Sequence, residues 1–321
     1  SAPKSSPVVD NEKIYVGSDQ GKLMCFDFHG KLLWEFTTEP DTHGVHQTPI
    51  IVDAMVIFSA YDGFVYALDK ENGELIWKHN ISSFSGSSPI YDRETNTVFV
   101  GTENKTVQGG LAAIDAANGK IKWEFSTNNH VPARAAIANE KVIFSSNDAH
   151  IYCLDKKNGA LIWKFRCGKD VKGRLTIDEN RCYATSFDGH IYCLDLDGKL
   201  IWKRRLGIRL YNAPLIVDEL VVVGSDSKQV TALDKRSGKV QWYFMTRGTI
   251  QSYPTLFEDK IFIGSRDGCI YILDKKGKLV WRFITSGAIT SSPTCHNDKL
   301  FVSGNDGYLY CFEKRKKTDC D

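Results

Sequence analysis

The chain has no run of about twenty apolar residues, so no helix of the length needed to cross a bilayer is expected. Charge of one sign is not in excess either. Lys plus Arg number 41 against 39 Asp plus Glu, which leaves no global field favouring nucleic acid or an anionic surface. There is no Cys-x-x-Cys, no adjacent Cys pair and no Cys/His grouping with ligand spacing, so no metal is expected. Phosphate-loop, nucleophile-elbow, dinucleotide and zinc-protease signatures are absent, and no stretch keeps a helical period. An enzyme is therefore not expected, nor is any cofactor.

What is present is repetition. Seven tryptophans, Trp34, Trp77, Trp123, Trp163, Trp202, Trp242 and Trp281, recur at spacings of 43, 46, 40, 39, 40 and 39 residues. Each sits in a unit such as Thr255-Leu-Phe, Lys260-Ile-Phe-Ile-Gly-Ser265, Asp267-Gly268, Cys269-Ile-Tyr-Ile-Leu-Asp274, Gly277 and Leu279-Val-Trp-Arg-Phe283. That pattern spells four short strands separated by turn residues. Asp62-Gly63, Asp188-Gly189, Asp267-Gly268 and Asp306-Gly307 mark the second hairpin, and Asn72-Gly73, Asn118-Gly119, Asn158-Gly159 and Ser237-Gly238 the third. Asp27, Asp69, Asp115, Asp155, Asp195, Asp234 and Asp274, with Glu313, close the third strand of the eight units. A carboxylate recurring once per repeat reads as turn chemistry rather than catalysis.

Each small sheet leaves two apolar faces that only neighbours can cover. A closed ring solves this, and the expected fold is an all-β, eight-bladed β-propeller of four-stranded antiparallel blades forming one domain over 1–321. Repeats start near residues 5, 47, 87, 133, 173, 212, 252 and 291. The last blade is incomplete in this chain, since Tyr308-Leu-Tyr-Cys-Phe312 runs into Lys314-Arg-Lys-Lys317 with no Trp-bearing strand. Three closures are open: a three-stranded blade, a strand from the basic tail, or one lying ahead of Ser1, the reading favoured because a bare edge invites aggregation.

The repeat Gly-Ser-x-Asp-Gly-x-Ile-Tyr-x-Leu-Asp-x-x-x-Gly-Lys-x-x-Trp-x-Phe resembles that of the pyrroloquinoline-quinone (PQQ) type propellers, over essentially the whole chain. The resemblance implies the fold and, because this family's quinone enzymes carry an adjacent Cys pair that is missing here, its non-enzymatic, scaffold-like members. The abrupt start fits a module of a larger protein such as an acyl-activating enzyme. A quinone-dependent dehydrogenase, or a small-molecule sensor regulating an attached enzyme, stands as the alternative.

Nine cysteines complete the inventory. Cys25, Cys153, Cys193 and Cys311 occupy a position filled by Ala67, Ala113, Ala232 and Ile272 elsewhere, and read as apolar packing residues. An odd count of such thiols suits a reducing compartment, so the cytoplasm is expected, with a targeting segment ahead of residue 1 left open. The extra residues between Gly101 and Gly110 lengthen one hairpin, a tolerated surface insertion more than a lip over a partner.

Recognition is expected where the repeats differ. Two columns at the start of the innermost strands, running through Lys4, His46, Lys172, Tyr211 and Gln251, and through Arg134, Arg174 and Tyr253, are spaced to converge on one mouth of the central channel. With Arg209 they gather cations and tyrosines around repeats four to six. The expected partner is a protein or peptide, with an anionic ligand at the channel mouth and no nucleic acid.

Overall fold

A computed structural model describes residues 5–38 and 44–313. The order of elements is strand after strand, with eight antiparallel sheets of consecutive strands, seven of four and the last of three. In the seventh blade the strands are Thr255–Phe257, Lys260–Gly264, Cys269–Asp274 and Leu279–Ile284, running from the channel outward. The eighth contains Thr294–His296, Lys299–Ser303 and Leu309–Glu313. The tail from Lys314, the fourth strand considered for this blade, lies outside the described residues.

The turn chemistry read from the sequence is realised in all seven third-strand aspartates. Asp69 Oδ1, for example, accepts from the backbone N–H of Glu71 and Asn72, and Asp274 Oδ1 from Lys276 and Lys278, each at 2.8–3.2 Å. A second latch sits in the second hairpin. There the tyrosine four residues on donates its hydroxyl to the hairpin aspartate, as Tyr152 to Asp148 at 2.7 Å, Tyr271 to Asp267 at 2.8 Å and Tyr310 to Asp306 at 2.7 Å.

Blades are joined by the outer-strand indoles. Trp163 Nε1 donates to the Leu196 carbonyl of the next blade at 2.9 Å, and its ring covers Gly198, where a Cβ would come within 2.7 Å. Trp34, Trp77, Trp123, Trp202 and Trp242 repeat this on Gly73, Gly119, Gly159, Gly238 and Gly277. Trp281 departs from the pattern and is 50% exposed, its ring tilted against Phe283 and edge-on to Phe312. Among the described residues, seven buried apolar clusters fill seven blade interfaces, from blades 1 and 2 through blades 7 and 8.

The interface of blades 8 and 1 closes differently. Near the channel, Ser292 N–H donates to Ser6 Oγ at 3.1 Å and Ser303 Oγ to the Ser5 carbonyl at 3.3 Å. Farther out lies a cavity of ≈530 Å³ instead of a filled core. Here one expectation is corrected: Cys25, Cys153 and Cys193 are buried packing residues, but Cys311 is exposed, because among the described residues no outer strand covers it.

Candidate functional site

The short innermost strands leave a channel around the axis, and its constriction is built from the second column. Arg134, Arg174 and Tyr253 each line two cavities, one of ≈220 Å³ at the mouth and one of ≈920 Å³ running along the inner strands. They form the waist between the two. Small hydroxyl residues in the same column, Ser6, Thr48 and Ser292, line both cavities as well. Side chains two residues apart in extended backbone share a face, which is why this column meets at the axis.

The electrostatics of the waist are one-sided. The Arg174 guanidinium lies 5.7 Å from the centre of the Tyr253 ring, a cation–π contact. Arg134 Nε is buried with no hydrogen-bond partner. Burial, reinforced by the neighbouring Arg174 charge, pulls the Arg134 guanidinium down from 12.5 to about 10. Burial also pushes the Tyr253 hydroxyl up, against the pull of both arginines. No carboxylate lines the mouth cavity among the described residues, and the one lining the inner cavity, Asp10, is already held by Lys70 Nζ at 2.7 Å. Two cations therefore face a shared space without a counter-ion. Guanidinium forks in that arrangement suit a carboxylate or phosphate taken bidentately.

The other expected residues fall into place around this waist in two groups. His46 and Gln251 line the mouth cavity; His46 Nε2 is 2.6 Å from Asp19 Oδ1 and its ring meets Tyr61 edge-on at 5.2 Å. Lys172, Arg209 and Tyr211 do not line either cavity. They gather instead on Phe187: Lys172 Nζ and the Arg209 guanidinium stand 4.9 and 5.8 Å from its ring centre, and Tyr211 packs T-shaped at 4.5 Å. Lys4 lies outside the described residues.

These rim cations have acidic neighbours, Asp170 at 3.9 Å for Lys172 and Asp226 near Arg209 and Tyr211. The waist arginines do not, and the two groups differ in kind on that ground. Phe187 was missed by reading the sequence. It belongs to the column ahead of the second-hairpin aspartate, Tyr61, Asn147, Phe187, Asp226, Arg266 and Asn305, whose backbone N–H groups bond the mouth loops. The available signal was that this position varies among the repeats while Asp-Gly stands beside it in several of them. The lengthened hairpin of the third blade is continuous sheet from Thr97–Glu103 to Gly109–Asp115, and the His130 ring bonds the Asn104 carbonyl at 3.1 Å at its end.

A family model described as "Beta-alanine-activating enzyme, beta-propeller" matches residues 108–320, and one described as "Outer membrane protein assembly factor BamB" matches residues 2–147. The chain belongs to the PQQ-type β-propeller family. Within it, the chain is 22% identical over 269 residues to BamB of Moranella endobia, an alignment covering 81% of this chain and 58% of that protein. It is 23% identical over 232 residues to the beta-alanine-activating enzyme of Drosophila melanogaster, covering 68% of this chain and 20% of the enzyme. The chain thus spans little more than half of one relative and a fifth of the other. The crystal structure of BamB from Moraxella catarrhalis superposes with a TM-score of 0.82 at 21% identity, covering 98% of this chain and 96% of that one, which shows the shared fold. Among the described residues no helix is long and apolar enough to cross a membrane, and no three His, Cys, Asp or Glu side chains are grouped to hold a metal.

Proposed function

We propose that this PQQ-type propeller is a non-catalytic recognition module that binds a protein or peptide partner by taking an acidic group of that partner into the channel waist. The observation that carries this reading is the pair Arg134 and Arg174, half-buried at the junction of two cavities, with Arg134 Nε buried and unpartnered and, among the described residues, no carboxylate lining the mouth cavity. Buried charges are normally paired, and an unpaired cation pair costs stability that a bound anion returns. The aromatic and cationic rim at Phe187, Tyr211, Lys172 and Arg209 supplies the surrounding contact area, since tyrosine and arginine dominate interface energetics.

Likeness to an assembly factor over most of the chain supports a scaffold role. The partial match to the Drosophila enzyme supports work as one part of a larger acyl-activating protein. Burial pushes the Cys153 thiol up to about 12 and the Cys193 thiol up to about 11. Such inert thiols suit a reducing compartment, and the proposed location is the cytoplasm.

The test is calorimetric titration with succinate and with inorganic phosphate as probes, on the protein and on the Arg134→Ala, Arg174→Ala double variant. Saturable binding to the former, lost in the latter with unfolding unchanged or improved, is the expected result. No binding to either protein, or equal binding to both, overturns the reading.

A further inference from the structure

The Trp-bearing strand of each four-stranded blade comes last in its sheet and is an open edge. Such edges are normally blunted with charge. The residue after the tryptophan supplies one in six of the seven outer strands, as Glu35, Lys78, Glu124, Lys164, Lys203 and Arg282, whereas the sixth blade has Tyr243 there. Val240–Met245 carries no charge at all, and Tyr243 and Met245 are 64% and 55% exposed. Its backbone is open as well. Thr246 N–H donates to the Lys228 carbonyl at 2.8 Å, and the antiparallel alternation running from there through the pairs Phe244–Val230 and Trp242–Ala232 turns the N–H and C=O groups of Tyr243 and Met245 away from the sheet.

The neighbouring wedge, between blades 5 and 6, departs from its counterparts too. At five interfaces a phenylalanine two residues after the tryptophan packs on the third-strand tyrosine of the next blade, with ring centres 5.5–5.8 Å apart. Between blades 5 and 6 these positions hold Arg204 and Thr231 instead. Arg204 Nε reaches across to the Gly238 carbonyl of blade 6 at 3.0 Å, and Lys203 and Arg205 stand exposed on either side of it. The outer strands of blades 4 to 7 together hold six Lys or Arg and no Asp or Glu. An uncharged edge is thus set in a basic belt.

We propose that the outer edge of blade 6 is a docking site for a partner polypeptide that adds one extended strand beside Val240–Met245, with apolar side chains at alternate positions and acidic residues flanking them. Strand addition gives the outward backbone groups of Tyr243 and Met245 their partners, while the exposed side chains on that edge read the alternate residues of the incoming strand. The cations of Lys203, Arg204 and Arg205 receive its acidic flanks. A second copy fits poorly, because antiparallel pairing of two such edges about Tyr243 sets Lys239 of each opposite Arg247 of the other. A lipid surface offers the outward backbone groups no strand. The site is separate from the channel waist, and neither depends on the other.

The probe is a labelled synthetic peptide, Glu-Asp-Val-Thr-Val-Thr-Ile-Asp-Glu, read by fluorescence anisotropy and by amide hydrogen exchange. Expected are saturable binding and slowed exchange of the Tyr243 and Met245 amides in the complex. Two variants each weaken binding by about tenfold or more: Tyr243→Glu, which installs the charge blades 1 and 3 carry at that position, and Met245→Pro, which removes an outward N–H. Their thermal unfolding is measured alongside to show that both fold. Affinity kept in the Arg134→Ala, Arg174→Ala variant supports the edge, and affinity lost there places the peptide in the channel and overturns the proposal. No saturable binding, undiminished affinity of the two edge variants, or unslowed exchange at Tyr243 and Met245 overturns it as well. So does a concentration-dependent dimer that Tyr243→Glu dissolves, by showing a second copy as the occupant, or binding to phosphatidylcholine–phosphatidylglycerol vesicles that Met245→Pro keeps, by showing a lipid surface.

Discussion

Arg134→Met is expected to make the protein more stable, which is the reverse of what replacing a long, half-buried side chain usually does. In the folded chain the guanidinium falls from 12.5 to about 10 because burial and then Arg174 oppose its charge. The sign follows directly. A base whose folded value lies below its unfolded one penalises the fold fully at every pH below about 10, and the penalty fades only as pH rises from there toward 12.5. At ~1.4 kcal/mol for each tenfold change in proton affinity, the penalty at neutral pH is about 3 kcal/mol. Methionine keeps the unbranched length and fills the space without charge, and replacing buried charge by apolar groups typically gains about 1–4 kcal/mol. A net gain of roughly 1–3 kcal/mol in urea unfolding at pH 7 is therefore expected. Succinate at one hundred times its dissociation constant should then stabilise the parent by about 2.7 kcal/mol and the variant not at all. Should Arg134→Met lose more than about 1 kcal/mol, the side chain has structural partners and is not held in reserve for a ligand.

Three further outcomes test the frame. Trp242→Ala is expected to cost about 3–5 kcal/mol because its ring is clamped on Gly277, whereas Trp281→Ala, half exposed, is expected to cost about 1 kcal/mol or less in the same denaturation assay. Gly198→Ala forces a Cβ to within 2.7 Å of the Trp163 ring at φ +83°, and a clear fall in melting temperature is expected by calorimetry. Asp267 is raised by burial, but the Tyr271 hydroxyl and the Cys269 N–H outweigh this and hold it low. Its contribution is complete above the unfolded carboxylate value near 4 and disappears as pH falls through the lower folded value. Asp267→Asn should accordingly flatten part of the acid limb of a stability-versus-pH curve.

The architecture was legible because each of its devices recurs. One Asp-Gly pair or one strand-closing aspartate says little, but four such pairs and seven such aspartates recurring in register across eight units point together to strand number, turn type and a ring. Cys311 and Trp281 escaped that logic for a common reason. Both belong to the seam where the repeat stops, and a rule drawn from the average blade fails where a neighbour is missing. The channel was legible in part. Extended-strand alternation brought Arg134, Arg174 and Tyr253 to the axis, but the same columns gave no sign that Lys172, Arg209 and Tyr211 turn away toward Phe187. That turn depends on the hairpin of the fifth blade, Ser186 to Gly189, packing beside the mouth loop at Asp170, a contact between segments whose spacing carries no periodic signal.

The hydrogen bond from Ser303 to Ser5 spans 298 residues of chain. Bringing together ends so far apart costs roughly 5 kcal/mol of loop entropy, against about 3 kcal/mol for the forty-residue step between adjacent blades. During synthesis, blades can stack in order as an arc, but the circle cannot shut until the final hairpin emerges, so a nascent or truncated chain presents two bare sheet faces to the cell. The same joint is the natural place for the finished ring to part under load, with blade 8 peeling away from blade 1 while the other seven interfaces hold.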